Sequence, residues 1–200
     1  MKSVIYWNPI LYRLIMRMIY GKDFQKKYSI VSKEIGLFSV LDVCCGDCFL
    51  ANYVACEKYR GIDINPAFVE YGRKKGLPVS CMNVVKDNWP LTECVVILSS
   101  LYQFIPYHEE ILKKAFKSAK KRIIVSEPIY NLADSKNRFI AYCARRFTDP
   151  GTESSKQRFN RDSLVILYKK YNVSRIIDGG RELIGVFDVD RIGGDFEISN

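Results

Sequence analysis

The amino-terminal part of the chain has apolar residues at helical spacing in two successive stretches. After Pro9, apolar side chains recur every three or four residues as far as Ile19, and Gly21 follows as a stop signal. A second stretch, residues 24–35, has the same periodicity and ends at Gly36. The pattern therefore predicts two amphipathic helices ahead of the first strand.

From residue 39 onward, short apolar runs alternate with amphipathic stretches. The runs have the length and composition of buried strands, and the stretches between them have helical spacing. The predicted strands are residues 39–43, 59–64, 79–83, 94–98 and 122–126, and the predicted helices are residues 49–56, 67–75, 108–119 and 161–171. Strands that alternate with helices indicate an α/β fold, with a mostly parallel sheet covered by helices on both faces.

The last third of the sequence departs from this alternation. Two apolar runs, residues 173–177 and 183–189, flank the turn-rich segment DGGRE, which predicts an antiparallel hairpin at the edge of the sheet. Residues 131–158 are polar and irregular around a short apolar stretch, so we interpret them as an insert. The sequence shows no repeat or linker, and we expect one domain over residues 37–200 preceded by a helical cap over residues 1–36.

Composition and charge limit the classes of protein to which the chain can belong. Two hundred residues, of which 48% are hydrophobic, are enough for a well-packed core. Lysine and arginine exceed aspartate and glutamate by 31 to 22, and the net charge of +9 favours anionic ligands. The basic side chains are spread along the chain without a recognisable nucleic-acid-binding module, so nucleic acid is not the expected partner.

Targeting signals and cysteine usage bear on the compartment. The amino terminus lacks the pattern of a secretion signal, and the most apolar helix is interrupted by arginines and is too short to span a membrane. Seven cysteines, an odd number in a chain of this length, indicate free thiols in a reducing compartment. We therefore predict a cytoplasmic protein without a transmembrane segment, whose oligomeric state the sequence does not indicate.

The segment LDVCCGDCFL, residues 41–50, is chemically the most informative stretch of the chain. It leaves the first predicted strand, and in doubly wound sheets ligands bind beyond the carboxyl ends of the strands. Gly46 is its only glycine, so it matches neither the G-x-G-x-x-G string of dinucleotide-binding loops nor the P-loop string G-x-x-x-x-G-K-[ST]. Two interpretations stay open, a thiol redox pair and a nucleoside-binding loop with unusual side chains.

The redox interpretation rests on Cys45 and Cys48, a C-x-x-C between a strand and a helix, as in thiol oxidoreductases. The negative charge of Asp47 between them disfavours thiolates. A zinc site would need four ligands, and the chain has a single histidine, His108, and no second C-x-x-C, so we expect no metal.

The nucleoside interpretation rests on Asp63. This acid ends the second predicted strand, twenty-one residues after Asp42, which is the spacing of a carboxylate that accepts hydrogen bonds from ribose hydroxyls. A redox pair has no use for such an acid. The spacing therefore favours a nucleoside-binding loop and leaves the oxidoreductase as an alternative.

The segments at the strand ends resemble those of class I S-adenosylmethionine-dependent methyltransferases over residues 39–127. In that family the first strand and loop commonly read V-L-D-x-G-C-G-x-G, whereas VLDVCCGDC has Cys44 and Cys48 where glycines are usual. The segments GIDINPAFVEYGRKKG, SCMNVVKDNWP, ECVVILSSLYQF and RIIVSEPI resemble the second to the fifth segment of the family. The resemblance implies a Rossmann-like, doubly wound, mostly parallel seven-stranded sheet of order 3-2-1-4-5-7-6, with S-adenosylmethionine as the cofactor.

The resemblance also implies roles for residues at the strand ends. Asp63 would hold the ribose, Ile64 would lie beside the adenine, and Asn83 stands where an aspartate often contacts the adenine amino group. Ser99 and Tyr102 would lie near the transferred methyl group. The implied cofactor-binding set is Asp42, Cys44, Cys45, Gly46, Asp63, Ile64, Asn83, Val84, Ser99 and Tyr102.

The activity implied by the resemblance is methyl transfer by in-line displacement, in which holding the nucleophile, methyl group and sulfur in line lowers the barrier. A dedicated base is optional, and the candidates are His108, Glu127 and Asp149. The fourth segment reads SSLY where enzymes that methylate amino groups of nucleic-acid bases have N/D-P-P-Y/F, so we expect a small acceptor.

The substrate cover is expected from the two amino-terminal helices and the insert at residues 131–158, whose aromatic and apolar side chains suggest a partly apolar acceptor. Two alternatives stay open. One is a catalytically silent partner protein with this fold, motivated by the cysteines in place of glycines, and the other is a C-x-x-C thiol oxidoreductase.

Overall fold

The buried apolar runs of the sequence form the strands of one mixed sheet. The structure, a computed structural model, describes residues 8–21, 23–129 and 158–189. The strands within these residues are β1 (Val40–Val43), β2 (Tyr59–Asp63), β3 (Val79–Cys81), β4 (Thr92–Leu98), β5 (Ala119–Pro128), β6 (Arg175–Asp178) and β7 (Glu182–Asp188). They lie in the order β3-β2-β1-β4-β5-β7-β6.

The direction of the strands confirms the predicted doubly wound sheet. β1 to β5 run parallel, and β7 is antiparallel to both of its neighbours, β5 and β6. Because β7 runs in the opposite direction, its first residue, Glu182, pairs with Pro128 at the end of β5. The last residues of β1 to β5 and the first residue of β7 therefore share one side of the sheet, which we call the carboxyl edge.

Helices cover both faces of this sheet. The α-helices among the described residues are α1 (Pro9–Tyr20), α2 (Asp23–Ile35), α3 (Pro66–Lys74), α4 (His108–Ser118) and α5 (Arg161–Lys170). α2 and α3 bury Val31 and Val69 in the core on one face, whereas α4 and α5 bury Leu112 and Leu164 in the core on the other. The described part of the chain holds no helix long and apolar enough to cross a bilayer.

Helix starts follow the capping rules. Asn8, Asn65 and Asn160 precede α1, α3 and α5, and each side chain accepts a hydrogen bond from a backbone N–H of the first turn. α1 and α2 confirm the two amino-terminal helices. The division of the chain into a cap over residues 1–36 and a domain over residues 37–200 stays a prediction.

The helix predicted over residues 49–56 is wrong. The structure has two short 3₁₀ turns there, Phe49–Asn52 and Cys56–Lys58. The side-chain amide of Asn52 donates to the carbonyl oxygen of Phe49 at 2.8 Å, and this oxygen would accept the N–H of Tyr53 in an α-helix. The N–H of Tyr53 instead donates to Leu50, three residues back. A polar side chain thus competes with the backbone for the helical hydrogen bond.

The other predicted elements agree with the structure within a few residues. The largest shift is at β5, which begins at Ala119 and not at residue 122, because α4 ends at Ser118 and the backbone passes directly into an extended conformation. β3 ends at Cys81, two residues early, because residues 83–87 form a turn. The predicted insert, residues 131–158, lies outside the described residues except for Arg158.

Candidate functional site

The loop after β1, residues 44–48, is a tight turn with three left-handed residues. Cys44, Gly46 and Cys48 have φ angles of 57°, 52° and 55°. A side chain with a Cβ atom is disfavoured in this conformation by about 1 kcal/mol, so both cysteines strain the loop. A Cβ atom at Gly46 would meet no atom within 4 Å. Open space therefore lies in front of Gly46 at the carboxyl edge.

Asp63 ties this loop to the end of β2. Its Oδ2 accepts the N–H of Gly46 at 2.8 Å, and its Oδ1 accepts the N–H of Asn65 at 2.8 Å. A carboxylate oxygen can accept more than one hydrogen bond, so backbone contacts of this kind are compatible with contacts to a ligand. The predicted ribose acid is thus buried, fixed in orientation and adjacent to Gly46.

Asp42 belongs to β1 and lies in the core beside β2. The hydroxyl of Tyr59 donates to its Oδ2 at 2.9 Å. Burial raises the pKa of Asp42 to about 7, and the Tyr59 hydrogen bond opposes this effect. Its observed partner is therefore a core side chain of β2.

The cysteine pair has the properties of buried packing residues. Cys45 and Cys48 are buried, and their sulfur atoms lie 3.7 Å apart. The hydrogen bond with Cys48 and burial both raise the pKa of Cys45, whereas the reactive cysteine of a thiol oxidoreductase has a lowered pKa. The described residues contain no cluster of His, Cys, Asp or Glu suited to a metal ion. This geometry does not support the redox alternative.

Glu127 holds the turn that follows β4. Its Oε1 accepts the N–H groups of Ser100 and Leu101 at 2.8 and 2.7 Å, and its Oε2 accepts that of Tyr102 at 3.3 Å. Burial raises the pKa of Glu127 to about 8, although the backbone N–H groups lower it. Both oxygens of this buried side chain are occupied, so its contacts indicate anchoring of the turn. Its role as a base stays a prediction that the geometry does not favour.

Ser100 presents an unpartnered hydroxyl in the same turn. Its Oγ is buried and makes no hydrogen bond of normal geometry within the described residues. The hydroxyl lies next to Cys44, where burial raises the pKa of the thiol and Ser100 lowers it. Buried polar atoms normally have partners, and the Cys44 thiol is the polar group that interacts with this hydroxyl.

A buried ion pair at the carboxyl edge is absent from the sequence predictions. Nζ of Lys27, on α2, lies 2.6 Å from Oγ of Ser99 and 3.1 Å from Oε1 of Glu182. The hydroxyls of Ser99 and Ser126 donate to the same carboxylate at 3.0 and 2.9 Å. Ser99 itself has a φ of 49°. The predicted methyl-side residue Ser99 is therefore part of a four-residue polar network that joins α2 to the ends of β4, β5 and β7.

One signal for this network was present in the sequence. Lys27 lies three residues after Phe24 and four before Val31, both buried, so it falls on the apolar face of α2. A lysine on such a face needs a buried partner. The identity of the partner, Glu182, was not predictable from local pattern.

The residues predicted around the adenine are spread along the ends of β2 and β3. Ile64 is 56% exposed, whereas Val84 is buried in the core. Oδ1 of Asn83 accepts the N–H groups of Val85 and Lys86 at 3.0 and 3.3 Å. Its amide oxygen is thus occupied by the turn, and only its N–H donors remain for a ligand.

A cleft of about 550 Å³ adjoins the turn after β4. Its walls include Ile105, His108, Arg158, Phe159, Ile166 and Leu167. The guanidinium of Arg158 lies 3.7 Å from the ring centre of Tyr102, which links the cleft to the predicted methyl-side residues. The remaining wall residues, Glu109, Ser163 and Lys170, are polar, so the cleft combines apolar walls with several polar and charged groups.

His108 lines this cleft at the start of α4. Its Nδ1 is buried without a partner among the described residues, and its ring packs edge-on against Phe159, with 5.2 Å between ring centres. Burial lowers the pKa of His108. The third candidate base, Asp149, lies outside the described residues.

Comparisons with known proteins bear on the fold. No protein-family model matches the chain, and no curated protein matches it in sequence. Among solved structures, it is similar to magnesium protoporphyrin IX methyltransferase from Synechocystis PCC 6803 with bound SAH (TM-score 0.62, 15% identity, 92% of this chain and 96% of that chain). It is similar to a SAM-dependent methyltransferase from Thermotoga maritima, a possible histamine N-methyltransferase (TM-score 0.62, 13% identity, 90% of this chain and 98% of that chain).

A third solved structure, human N-acetylserotonin methyltransferase in complex with SAM, gives a TM-score of 0.58 at 13% identity, over 90% of this chain and 57% of that chain. At such identities the likeness concerns the arrangement of the backbone. The strand order and these neighbours agree, and the chain therefore has the fold of the class I S-adenosylmethionine-dependent methyltransferases.

Proposed function

We propose that the chain is an S-adenosylmethionine-dependent methyltransferase that acts on a small, partly apolar molecule. The observation that carries this proposal is the pairing of Asp63 with the N–H of Gly46, beside the open space in front of Gly46. A fixed carboxylate at this point of a doubly wound sheet is suited to ribose hydroxyls. Solved structures of similar fold that contain SAM or SAH support the choice of nucleoside.

Other residues at the carboxyl edge fit the same cofactor. Ile64 offers an exposed apolar side chain for an adenine ring, and Asn83 has free N–H donors for a ring nitrogen. When bound, S-adenosylmethionine supplies an activated methyl group, so the contribution of the protein is mainly orientation and exclusion of water.

The cleft beside Tyr102 supports a small, partly apolar acceptor. Ile105 and Phe159 supply apolar walls, and Arg158 and His108 supply polar groups. Because burial keeps His108 neutral near pH 7, its imidazole is in the state that accepts a proton from a hydroxyl or an acidic carbon. Among the three candidate bases, we propose His108.

Titration calorimetry with S-adenosylhomocysteine tests the proposal. We expect the unmodified protein to bind, and Asp63→Asn to weaken binding about tenfold or more, because hydrogen bonds to a charged group contribute roughly 1.5–3 kcal/mol. The matched control is Asp178→Asn. Asp178 also accepts a backbone N–H two residues ahead, from Gly180 at 2.8 Å. It is exposed at the end of β6, the outermost strand on the side of the sheet away from β2, so this variant should bind as the unmodified protein does.

Absence of binding to the unmodified protein would contradict the proposal and favour the catalytically silent partner protein. Equal weakening in the Asp63 and Asp178 variants would show that the effect does not come from ribose contacts.

A further inference from the structure

Arg13, on α1, binds one residue of the β1 loop at two points. Its Nε donates to Oδ2 of Asp47 at 2.5 Å, and its Nη2 donates to the main-chain oxygen of Asp47 at 3.0 Å. The guanidinium also lies over the rings of Phe49 and Tyr71, at 5.0 and 5.7 Å from their centres. A forked hydrogen bond with two flanking rings fixes the orientation of the arginine.

Asp47 directly precedes one of the two strained cysteines of the loop. It stands between Gly46 and Cys48, both left-handed, and Cys44 is left-handed as well. Because Nη2 of Arg13 binds the main-chain oxygen of Asp47, it restrains the peptide group that joins Asp47 to Cys48. The contact thus acts directly on a residue whose Cβ atom disfavours the observed conformation.

The ties of the loop to β2 act on its first half, whereas within the loop the N–H of Cys48 donates to the carbonyl oxygen of Cys45 at 2.9 Å. The N–H of Cys45 donates to the carbonyl oxygen of Ile62 at 3.0 Å, and the N–H of Gly46 donates to Asp63. Both contacts come from β2. Arg13 therefore restrains the second half of the loop from a different element, and its partner Asp47 is buried.

We propose that Arg13 is a positioning residue for the cofactor loop, and that its contact with Asp47 offsets the strain of having cysteines at positions 44 and 48. This role rests on the proposed function, because it concerns the affinity of the same loop for the cofactor. α1 thereby takes part in cofactor binding without touching the cofactor.

Calorimetry with S-adenosylhomocysteine tests this role through Arg13→Gln. We expect the dissociation constant to rise about tenfold, because the loop loses a restraint and must be ordered by the ligand. Arg13→Lys keeps one of the two hydrogen bonds and should give an intermediate value. Hydrogen exchange of the peptide spanning residues 41–50, measured without ligand, should be faster in Arg13→Gln than in the unmodified protein.

Arg122→Gln is the matched control. Arg122 binds Asp188 through Nε at 2.7 Å and the main-chain oxygen of Glu34 through Nη1 at 2.6 Å, so it makes the same kinds of contact. The side chains are similarly buried, 21% and 14% exposed for Arg122 and Asp188 against 20% and 5% for Arg13 and Asp47. The control pair lies at the opposite edge of the sheet, so its loss should destabilise the fold but leave binding and loop exchange unchanged within twofold.

A glycine rescue separates loop strain from general packing. Adding Cys48→Gly to Arg13→Gln should restore most of the lost affinity, because glycine adopts the left-handed conformation without strain. The sulfur of Cys48 packs near Gly72, so Cys44→Gly, at a half-buried site, serves as a second rescue variant.

Four outcomes would contradict the proposed function or the positioning role of Arg13. If the unmodified protein does not bind S-adenosylhomocysteine, the proposed function fails, whereas loop exchange still reports whether Arg13 restrains the loop. If the unmodified protein binds and Arg13→Gln binds equally well, the positioning role is wrong. It is also wrong if Arg122→Gln weakens binding as much as Arg13→Gln, or if neither glycine substitution restores affinity.

Discussion

Asp42 and Glu127 are acids whose ionised forms are disfavoured by burial. The pKa of Asp42 rises from 3.8 to about 7, and that of Glu127 rises from 4.5 to about 8. At pH values between the usual and the raised pKa of each acid, the folded state binds more protons than the unfolded state. Because stability falls with rising pH wherever the folded state holds the extra protons, both groups stabilise the fold most at low pH and lose this contribution as the pH rises to about 8.

Replacing Asp42 with Asn should flatten this dependence. The amide stays neutral and can still accept the Tyr59 hydrogen bond, so the fall in the free energy of unfolding between about pH 5 and pH 8 should shrink by about 2 kcal/mol. Urea denaturation at several pH values measures the change. In Asp178→Asn the fall should stay as it is, because the pKa of Asp178 is lowered and lies below that range. An undiminished fall in Asp42→Asn would contradict the assignment.

At the scale of single residues, the sequence predicted positions in the fold but not the contacts between side chains and backbone. The positions of Asp63 and Gly46 at strand ends followed from spacing, but the hydrogen bond between them did not, because it depends on the three left-handed residues of the loop. Gly185 was likewise not predictable as a packing residue. A Cβ atom there would lie 2.9 Å from ring carbons of Tyr168, which sits seventeen residues earlier on α5.

At the scale of elements, α2 is joined to the carboxyl edge through Lys27. Breaking a buried ion pair leaves an unpaired charge, which costs about 3–5 kcal/mol, more than the loss of a surface pair. Lys27→Met keeps the length of the side chain but leaves Glu182 without its cation. We expect the free energy of unfolding to fall by about 3 kcal/mol, measured by urea denaturation at pH 7.

Two further variants make this measurement specific. Lys33→Met changes an exposed lysine on the same helix, and its effect should stay within about 0.5 kcal/mol. Lys27→Met combined with Glu182→Gln removes both charges and should recover part of the loss. Equal effects of the Lys27 and Lys33 substitutions would show that the pair does not hold α2.

The elements themselves were largely predictable, because apolar periodicity is a local property. The exception, residues 49–56, depended on one side-chain hydrogen bond of Asn52, which competes with the helix and leaves no periodic signal. Side-chain contacts between different elements were harder to predict from the sequence. The Lys27 network joins residues from α2, β5 and β7, and the lysine on the apolar face of α2 was its only signal in the sequence.

At the scale of the whole molecule, the doubly wound sheet followed from the alternation of strands and helices, and the order of the strands followed from the family resemblance. Ligand binding at the carboxyl edge would link this fold to stability. If the protein binds S-adenosylhomocysteine at the carboxyl edge, a ligand concentration of about 100 times the dissociation constant should raise the free energy of unfolding by about 2.7 kcal/mol.

Urea denaturation with and without ligand measures this linkage. Asp63→Asn should show less stabilisation at the same ligand concentration, whereas Asp178→Asn should match the unmodified protein. Failure of the ligand to shift the unfolding curve of the unmodified protein would contradict cofactor binding.

The separation of Lys27 and Glu182 along the chain also bears on biosynthesis. Glu182 leaves the ribosome 155 residues after Lys27, so a growing chain holds the cation long before its counterion exists. Until β7 has been made, the Lys27 ammonium lacks its carboxylate and has the neutral hydroxyl of Ser99 as its polar partner, so burial of the lysine is less favourable. Stable docking of α2 thus depends on β7, and nascent chains cut short before β7 should dock α2 less stably than chains that include it.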